Sequence, residues 1–186
     1  MGATMRFVFD ERKAGQAAAW LLRRYGKPIE AERLLMLLYL VDRRTFIESG
    51  YPLTGDDFVS TADGPALRAL SCLVLGNEAT TGNDWRTYVQ QVGSDRLTHT
   101  GVEDVGTLSE RDCQRLGETL DKHHSMPCSR MSKNVRRLPE WQPPIGDLVT
   151  IDPRSVLRDA GFSEEEVLEA AELVASIYWF RSLVRE

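Results

Sequence analysis

Three aspartates raise the question of acid–base chemistry. Asp42, Asp56 and Asp57 could pair carboxylates, one ionised and one protonated, as general acid and general base catalysis requires. The competing reading is structural: Asp42 bonds a nearby arginine or backbone amides at a turn, where aspartate is selected by turn chemistry alone. The structural reading is preferred. A second group, Cys113, His123, His124 and Cys128, gathers soft and borderline metal ligands in one short region. Its spacing matches no structural zinc pattern, and Pro127 keeps His124 and Cys128 from sharing one regular helical face. No metal and no cofactor are expected. The sequence has no G-x-S-x-G elbow, no Walker loop, no G-x-G-x-x-G after a strand and no H-E-x-x-H, so the expected protein is not an enzyme. A hydrolase using the Asp and His residues would need a metal.

A third group is basic. Arg130, Lys133, Arg136 and Arg137 form a stripe at helical spacing that could meet phosphate, with Trp141 near enough to stack on a base. The formal charge is −5, which gives no global attraction for nucleic acid. The stripe therefore reads first as a solvated face or a contact for an acidic partner, and a nucleic-acid-binding regulator is the alternative.

These groups must be positioned by a chain of 186 residues, 42% hydrophobic and 27% charged, which fits one globular domain. The longest apolar run, Leu34 to Val41, is far shorter than a membrane span. Met1 to Arg6 does not read as a secretory signal, and three cysteines at irregular spacing fit a reducing compartment. A cytoplasmic protein without membrane contact is expected.

Asp10 predicts an N-cap for a first helix ending at Gly26, with Ala14, Ala17, Ala18, Leu21, Leu22 and Tyr25 inward and Arg12, Gln16, Arg23 and Arg24 outward. A second helix, Ile29 to Ser49, is apolar all round at Leu34 to Val41 and should be the central rod of the core. A short strand is expected around Phe58 and Val59. A third helix should open at Asp63, Gly64 and Pro65, with Leu67, Leu70 and Val74 inward. Trp85 to Gln91 and Arg96 to Thr100 read as two strands joined by Val92 to Asp95. Ser109 with Asp112 caps the next helix, Pro127 ends it, and a short amphipathic helix follows with Met131, Val135 and Leu138 inward. After an extended connector, Pro139 to Ile151, the chain closes with a helical hairpin at about 152–186, whose last helix starts at a capping box of Ser163 and Glu166. The expected fold is α+β, mainly α: a helical bundle around a central apolar helix with a small antiparallel sheet or hairpin. Tyr178, Trp179 and Phe180 cannot all face one core, so a second chain, possible in a homodimer, would cover at least one.

From Phe9 to Leu70 the sequence carries Leu37, Leu38, Tyr39, Val41, Asp42, Arg43, Thr54, Gly55, Asp56, Gly64 and Pro65 in order. This series resembles the Panacea domain family of bacterial and phage proteins, which includes SocA-like antitoxins. The similarity continues more weakly through Leu108, Ser109 and the following helix to Pro139, Glu140 and Trp141. Met36 stands where the family often has Lys, and Asp63 and Ala66 flank the Gly-Pro where an aromatic and Val are common. The resemblance implies a mostly helical domain with a small sheet, acting as the antitoxin of a type II toxin–antitoxin pair by binding a cognate protein toxin. A protease or chaperone is a further possible partner. Tyr39, Asp42, Arg43, Thr54, Asp56, Asp57, Gly64, Pro65 and Trp141 are then signature or partner-binding residues, with Asp42 and Thr54 read as a polar clamp at a chain junction.

Overall fold

Asp10 adopts extended backbone and its carboxylate accepts the Lys13 amide at 2.9 Å, so the first helix, α1 (Glu11–Tyr25), begins where its orphan donors are satisfied. Gly26 ends it in the left-handed conformation. The computed structural model describes residues 5–75 and 83–183. Small residues on α1 bring other elements close. A Cβ at Gly15 would stand 2.7 Å from the Tyr88 ring, so only glycine lets that ring lie against the helix. Gln16, expected at the surface, is buried: its amide donates to the Tyr88 hydroxyl at 3.2 Å and its oxygen accepts the Thr107 amide at 3.0 Å. An amide fully supplied with partners tolerates burial, and spacing alone does not reveal this.

The central rod, α2 (Ala31–Ser49), starts two residues later than expected, because Ile29–Glu30 forms strand β1 against Leu97 and Arg96. Leu34, Leu37, Leu38, Tyr39, Val41 and Phe46 are all essentially inaccessible. Burying such side chains contributes about 1.5–3 kcal/mol each. Around the rod the described residues form eight helices and two three-stranded antiparallel sheets, the mainly α, α+β class that the sequence implies.

One sheet has the order β1, β5 (Arg96–His99), β4 (Val89–Val92), with Gly93 at positive φ in the turn. Before it, Asp84–Tyr88 is a one-turn helix, α4 in chain order, and not strand. Trp85 and Tyr88, three apart, both turn into the core, a spacing that suits a helical turn.

The other sheet has the order β3 (Gly64–Leu67), β2 (Phe58–Thr61), β6 (Leu148–Thr150). Gly64 and Pro65 therefore do not open a helix. They pair with Thr61 and Ser60 across a tight hairpin, and Pro65 sits on an edge strand, where its missing amide costs no ladder bond. The third helix, α3 (Arg68–Leu75), begins only afterwards. The expected connector supplies β6.

The remaining helices are α5 (Glu110–His123), α6 (Cys128–Val135), α7 (Pro153–Asp159) and α8 (Glu164–Leu183). Ser109 and Asp112 form the reciprocal capping box of α5. Ser163 and Glu166 do the same at α8. Met131 and Val135 of α6 enter the core. Among the described residues no helix is long and apolar enough to cross a membrane.

Candidate functional site

The polar end of α2 carries Asp42 and Arg43, one helical turn beyond Tyr39, and the chain turns back across it through Thr54 to Asp56. Asp42 is fully buried. Its carboxyl accepts the Thr54 amide at 3.0 Å and is also bonded to the Thr54 hydroxyl. The Thr54 carbonyl in turn accepts the Asp10 amide at 2.8 Å. One threonine thus straps the end of α2 to the start of α1. The strap is tight: a Cβ at Gly55, where φ is +69°, would stand 2.2 Å from the Val8 carbonyl oxygen, so this position excludes any side chain.

Asp56 has a different task. Its carboxylate accepts the Ala69 amide at 2.9 Å and the Leu70 amide at 2.9 Å, together with its neighbour Asp57's amide at 2.8 Å. It is the cap of α3, supplied from 13 residues upstream, and it satisfies donors that the first turn of a helix leaves free. Asp57 stays at the surface, and its carbonyl accepts the Arg68 amide at 3.0 Å.

Burial is the largest influence on both buried aspartates. It pushes Asp42 up to about 8 against the opposing Thr54 hydrogen bonds, and Asp56 up to about 6 against its three backbone donors. At neutral pH Asp42 holds its proton.

Tyr39 and Arg43 converge on a third residue, Glu140. The Tyr39 hydroxyl donates to Glu140 Oε1 at 2.8 Å, Arg43 Nε donates to the same oxygen at 2.6 Å, and a second guanidinium nitrogen reaches Oε2 at 3.2 Å. The Glu140 side chain is entirely buried, and that of Arg43 is part-buried, 19% exposed. Burial, then the charge of Glu140, drives the Tyr39 phenol well above its usual range. Burial works against the Arg43 charge, but the hydrogen bond and charge of Glu140 outweigh it and hold the guanidinium protonated. The next residue, Trp141, is half-buried and donates its indole N–H to the Thr61 carbonyl at 3.0 Å. The Pro139 to Trp141 turn therefore locks to both α2 and the β2–β3 hairpin. Gly64 and Pro65 lie in that hairpin, paired to β2 and buried.

The structure thus brings Tyr39, Asp42, Arg43, Thr54 and Asp56 to one end of α2 and adds Glu140, which its sequence position, 97 residues from Arg43, conceals. It does not assemble the carboxylates as an acid–base pair in an open cleft: Asp42, Asp56 and Glu140 are engaged by amides, hydroxyls or a guanidinium, and Asp57 stands at the surface.

The cysteine and histidine group is dispersed. His123 Nδ1 lies 2.8 Å from the Thr119 carbonyl, and the His124 ring rests 4.9 Å from that of Tyr25. Burial, with the charge of Glu32, pushes the Cys128 thiol up to about 11. Among the described residues no three His, Cys, Asp or Glu side chains stand where they could hold a metal ion. Within the basic stripe, Arg136 is tied back to the Asp63 carbonyl at 2.8 Å, while Arg130, Lys133 and Arg137 are exposed.

A family model described as "Antitoxin SocA-like, Panacea domain" matches residues 34–142. No curated protein and no solved structure matches the chain. The matched span runs from the first buried leucine of α2 to the residue after Trp141, and so contains both polar clusters.

Proposed function

The chain belongs to the SocA-like antitoxin family, that of the Panacea domain, and we propose that it neutralises a cognate protein toxin by binding it, as the antitoxin of a type II pair. The family match across 34–142 carries this reading. The geometry is in keeping with it. Groups that could have served catalysis, Tyr39, Asp42, Arg43, Asp56 and Glu140, are engaged with one another or with backbone inside the matched span. With those groups satisfied internally, the exposed side chains around them are what this reading assigns to a partner.

On this reading the protein is not an enzyme, and it works in the cytoplasm as a single domain. Tyr39, Asp42, Arg43, Thr54, Asp56, Gly64 and Pro65 form the frame, and the toxin meets side chains mounted on it. Asp57 is exposed, and Arg43 and Trp141 are part-buried, so these signature residues can reach a partner. A protease or chaperone that handles the complex would dock elsewhere.

Co-expression with the product of the adjacent gene tests the reading. The expected result is growth arrest by the neighbour alone, rescue by this chain, and a complex that copurifies. A neighbour that is harmless, or toxic yet neither bound nor rescued, refutes it.

One observation favours a second reading. Arg130, Lys133 and Arg137 project from α6 and the turn after it, which is the arrangement for backbone phosphate contact. This reading requires measurable, salt-dependent affinity for DNA or RNA.

A further inference from the structure

The last helix, α8, turns only a narrow stripe of its twenty residues into the fold. Val167, Ala171 and Val174 face inward. The opposite face is also apolar toward its C-terminal half, where Trp179 is 67% exposed, Phe180 70% and Leu183 57%. A helix that is apolar on two sides is normally enclosed on both.

The polar groups along that half are already prepared for burial. Ser176 donates to the Glu172 carbonyl at 2.9 Å and Ser182 to the Trp179 carbonyl at 2.8 Å, so covering either leaves no hydroxyl donor orphaned. The Arg181 guanidinium turns away to lie 5.2 Å over the Tyr51 ring. Ser176 is small, which allows another helix to approach between Leu173 and Phe180. By contrast the N-terminal half is acidic, with Glu164, Glu165, Glu166, Glu169 and Glu172, and could not be brought beside a copy of itself without like-charge repulsion.

We infer that the C-terminal half of α8, around Ser176, Trp179, Phe180 and Leu183, is a self-association surface on which a second copy of this chain packs its own α8 antiparallel. Antiparallel overlap of the two C-terminal halves stacks the aromatic residues about the two-fold axis and sends the two acidic halves in opposite directions. Parallel pairing would lay the acidic halves side by side. The contact is isologous, so it closes at two copies.

Its strength follows from area. An aromatic side chain buries about 150–250 Å², so the exposed parts of Trp179 and Phe180, with Leu173 and Leu183, offer roughly 450 Å² of apolar surface per copy. A standard interface buries about 800 Å² per partner. At about half that area the dimer is weak and reversible. This inference stands apart from the antitoxin reading, because it concerns the chain alone.

Sedimentation equilibrium of the full chain, from about 5 to about 500 µM, the range in which weak association shows, tests it. The mass is expected to rise from 21.0 kDa toward twice that value. The double variant Trp179→Glu/Phe180→Glu, altered only at exposed positions, is expected to stay at 21.0 kDa with unchanged circular dichroism. Leu168→Glu, in the acidic half, is expected to dimerise as the natural chain does. A natural chain that stays monomeric throughout, a dimer that survives the double variant, or a dimer abolished by Leu168→Glu overturns the inference. A monomer whose Trp179 becomes protected only with the neighbouring gene product also overturns it, and gives that face to the toxin.

Discussion

Replacing Asp42 with asparagine should change how stability depends on pH more than it changes stability itself. Asp42 is buried and its carboxyl is raised to about 8, whereas in the unfolded chain it ionises near 3.8. A folded-state value above the unfolded one means that its contribution is complete below pH 3.8 and is lost as pH rises toward 8. Within that window the folded protein holds a proton that the unfolded chain has released, and stability falls by about 1.4 kcal/mol per pH unit. Between pH 5 and pH 7 Asp42 alone therefore costs about 3 kcal/mol, a large share of the roughly 5–15 kcal/mol that holds a domain folded. Asparagine presents an acceptor to the Thr54 amide and a donor to its hydroxyl, as the un-ionised carboxyl does, and has nothing to ionise. Urea unfolding of both proteins at pH 5, 6 and 7 should give a free-energy difference that moves by about 3 kcal/mol in favour of Asp42→Asn across the series. A difference that is the same at all three pH values would show that Asp42 is ionised in the folded protein and would refute the reasoning. Asp56, raised to about 6, tilts both proteins alike and cancels in the comparison.

Glu140→Ala leaves the buried Tyr39 hydroxyl and the part-buried Arg43 guanidinium without their partner, and should lower unfolding free energy by about 3 kcal/mol, the low end for breaking a buried pair; a loss under about 1 kcal/mol in chemical denaturation would mean that water replaces the carboxylate. Gly55→Ala combines a left-handed backbone with a 2.2 Å collision against the Val8 carbonyl, so it should cost about 3 kcal/mol or more, read as a lowered melting temperature or loss of soluble protein, and a normal melting curve would count against the strap. Ser163→Ala removes one side of the α8 capping box and should cost about 1 kcal/mol, with hydrogen exchange increased only in the first turn of that helix. The triple variant Arg130→Gln/Lys133→Gln/Arg137→Gln should rescue growth as well as the natural chain does, and neither protein should shift DNA or RNA at low salt; a shift abolished by the triple variant would favour the nucleic-acid reading.

What could be read from the sequence was whatever is settled within one turn of chain. Asp10, the Ser109 and Asp112 pair and the Ser163 and Glu166 pair announce helix starts because cap and amide lie three residues apart. Gly64 and Pro65 misled for the complementary reason. Locally they suit a helix start, but the true cap of α3 is Asp56, 13 residues before the amide it serves, and pairing with β2 takes the Gly-Pro segment first. Ile29 and Glu30 were drawn from a predicted helix into a strand by a partner 66 to 68 positions away, and the buried Gln16 depends on Tyr88 and Thr107. In the candidate site, Tyr39, Asp42, Arg43 and Thr54 could be picked out, because they cluster at the polar end of an apolar run. Glu140 could not, since no periodicity links it to Arg43; its only trace was the Pro139, Glu140, Trp141 triplet within the weaker part of the family resemblance.

The reach of the Glu140 bonds has a consequence during synthesis. Tyr39 and Arg43 leave the ribosome roughly 100 residues ahead of their partner, an interval of about 5–20 s at ordinary elongation rates of about 5–20 residues per second. Throughout that interval the rod carries a phenol and a cation that cannot be enclosed without penalty, so the N-terminal half waits, incompletely packed, until the Pro139 to Trp141 turn emerges. A chain ended short of Glu140 lacks the one carboxylate that Tyr39 and Arg43 share, so the centre of the fold is completed only by a segment made late in synthesis.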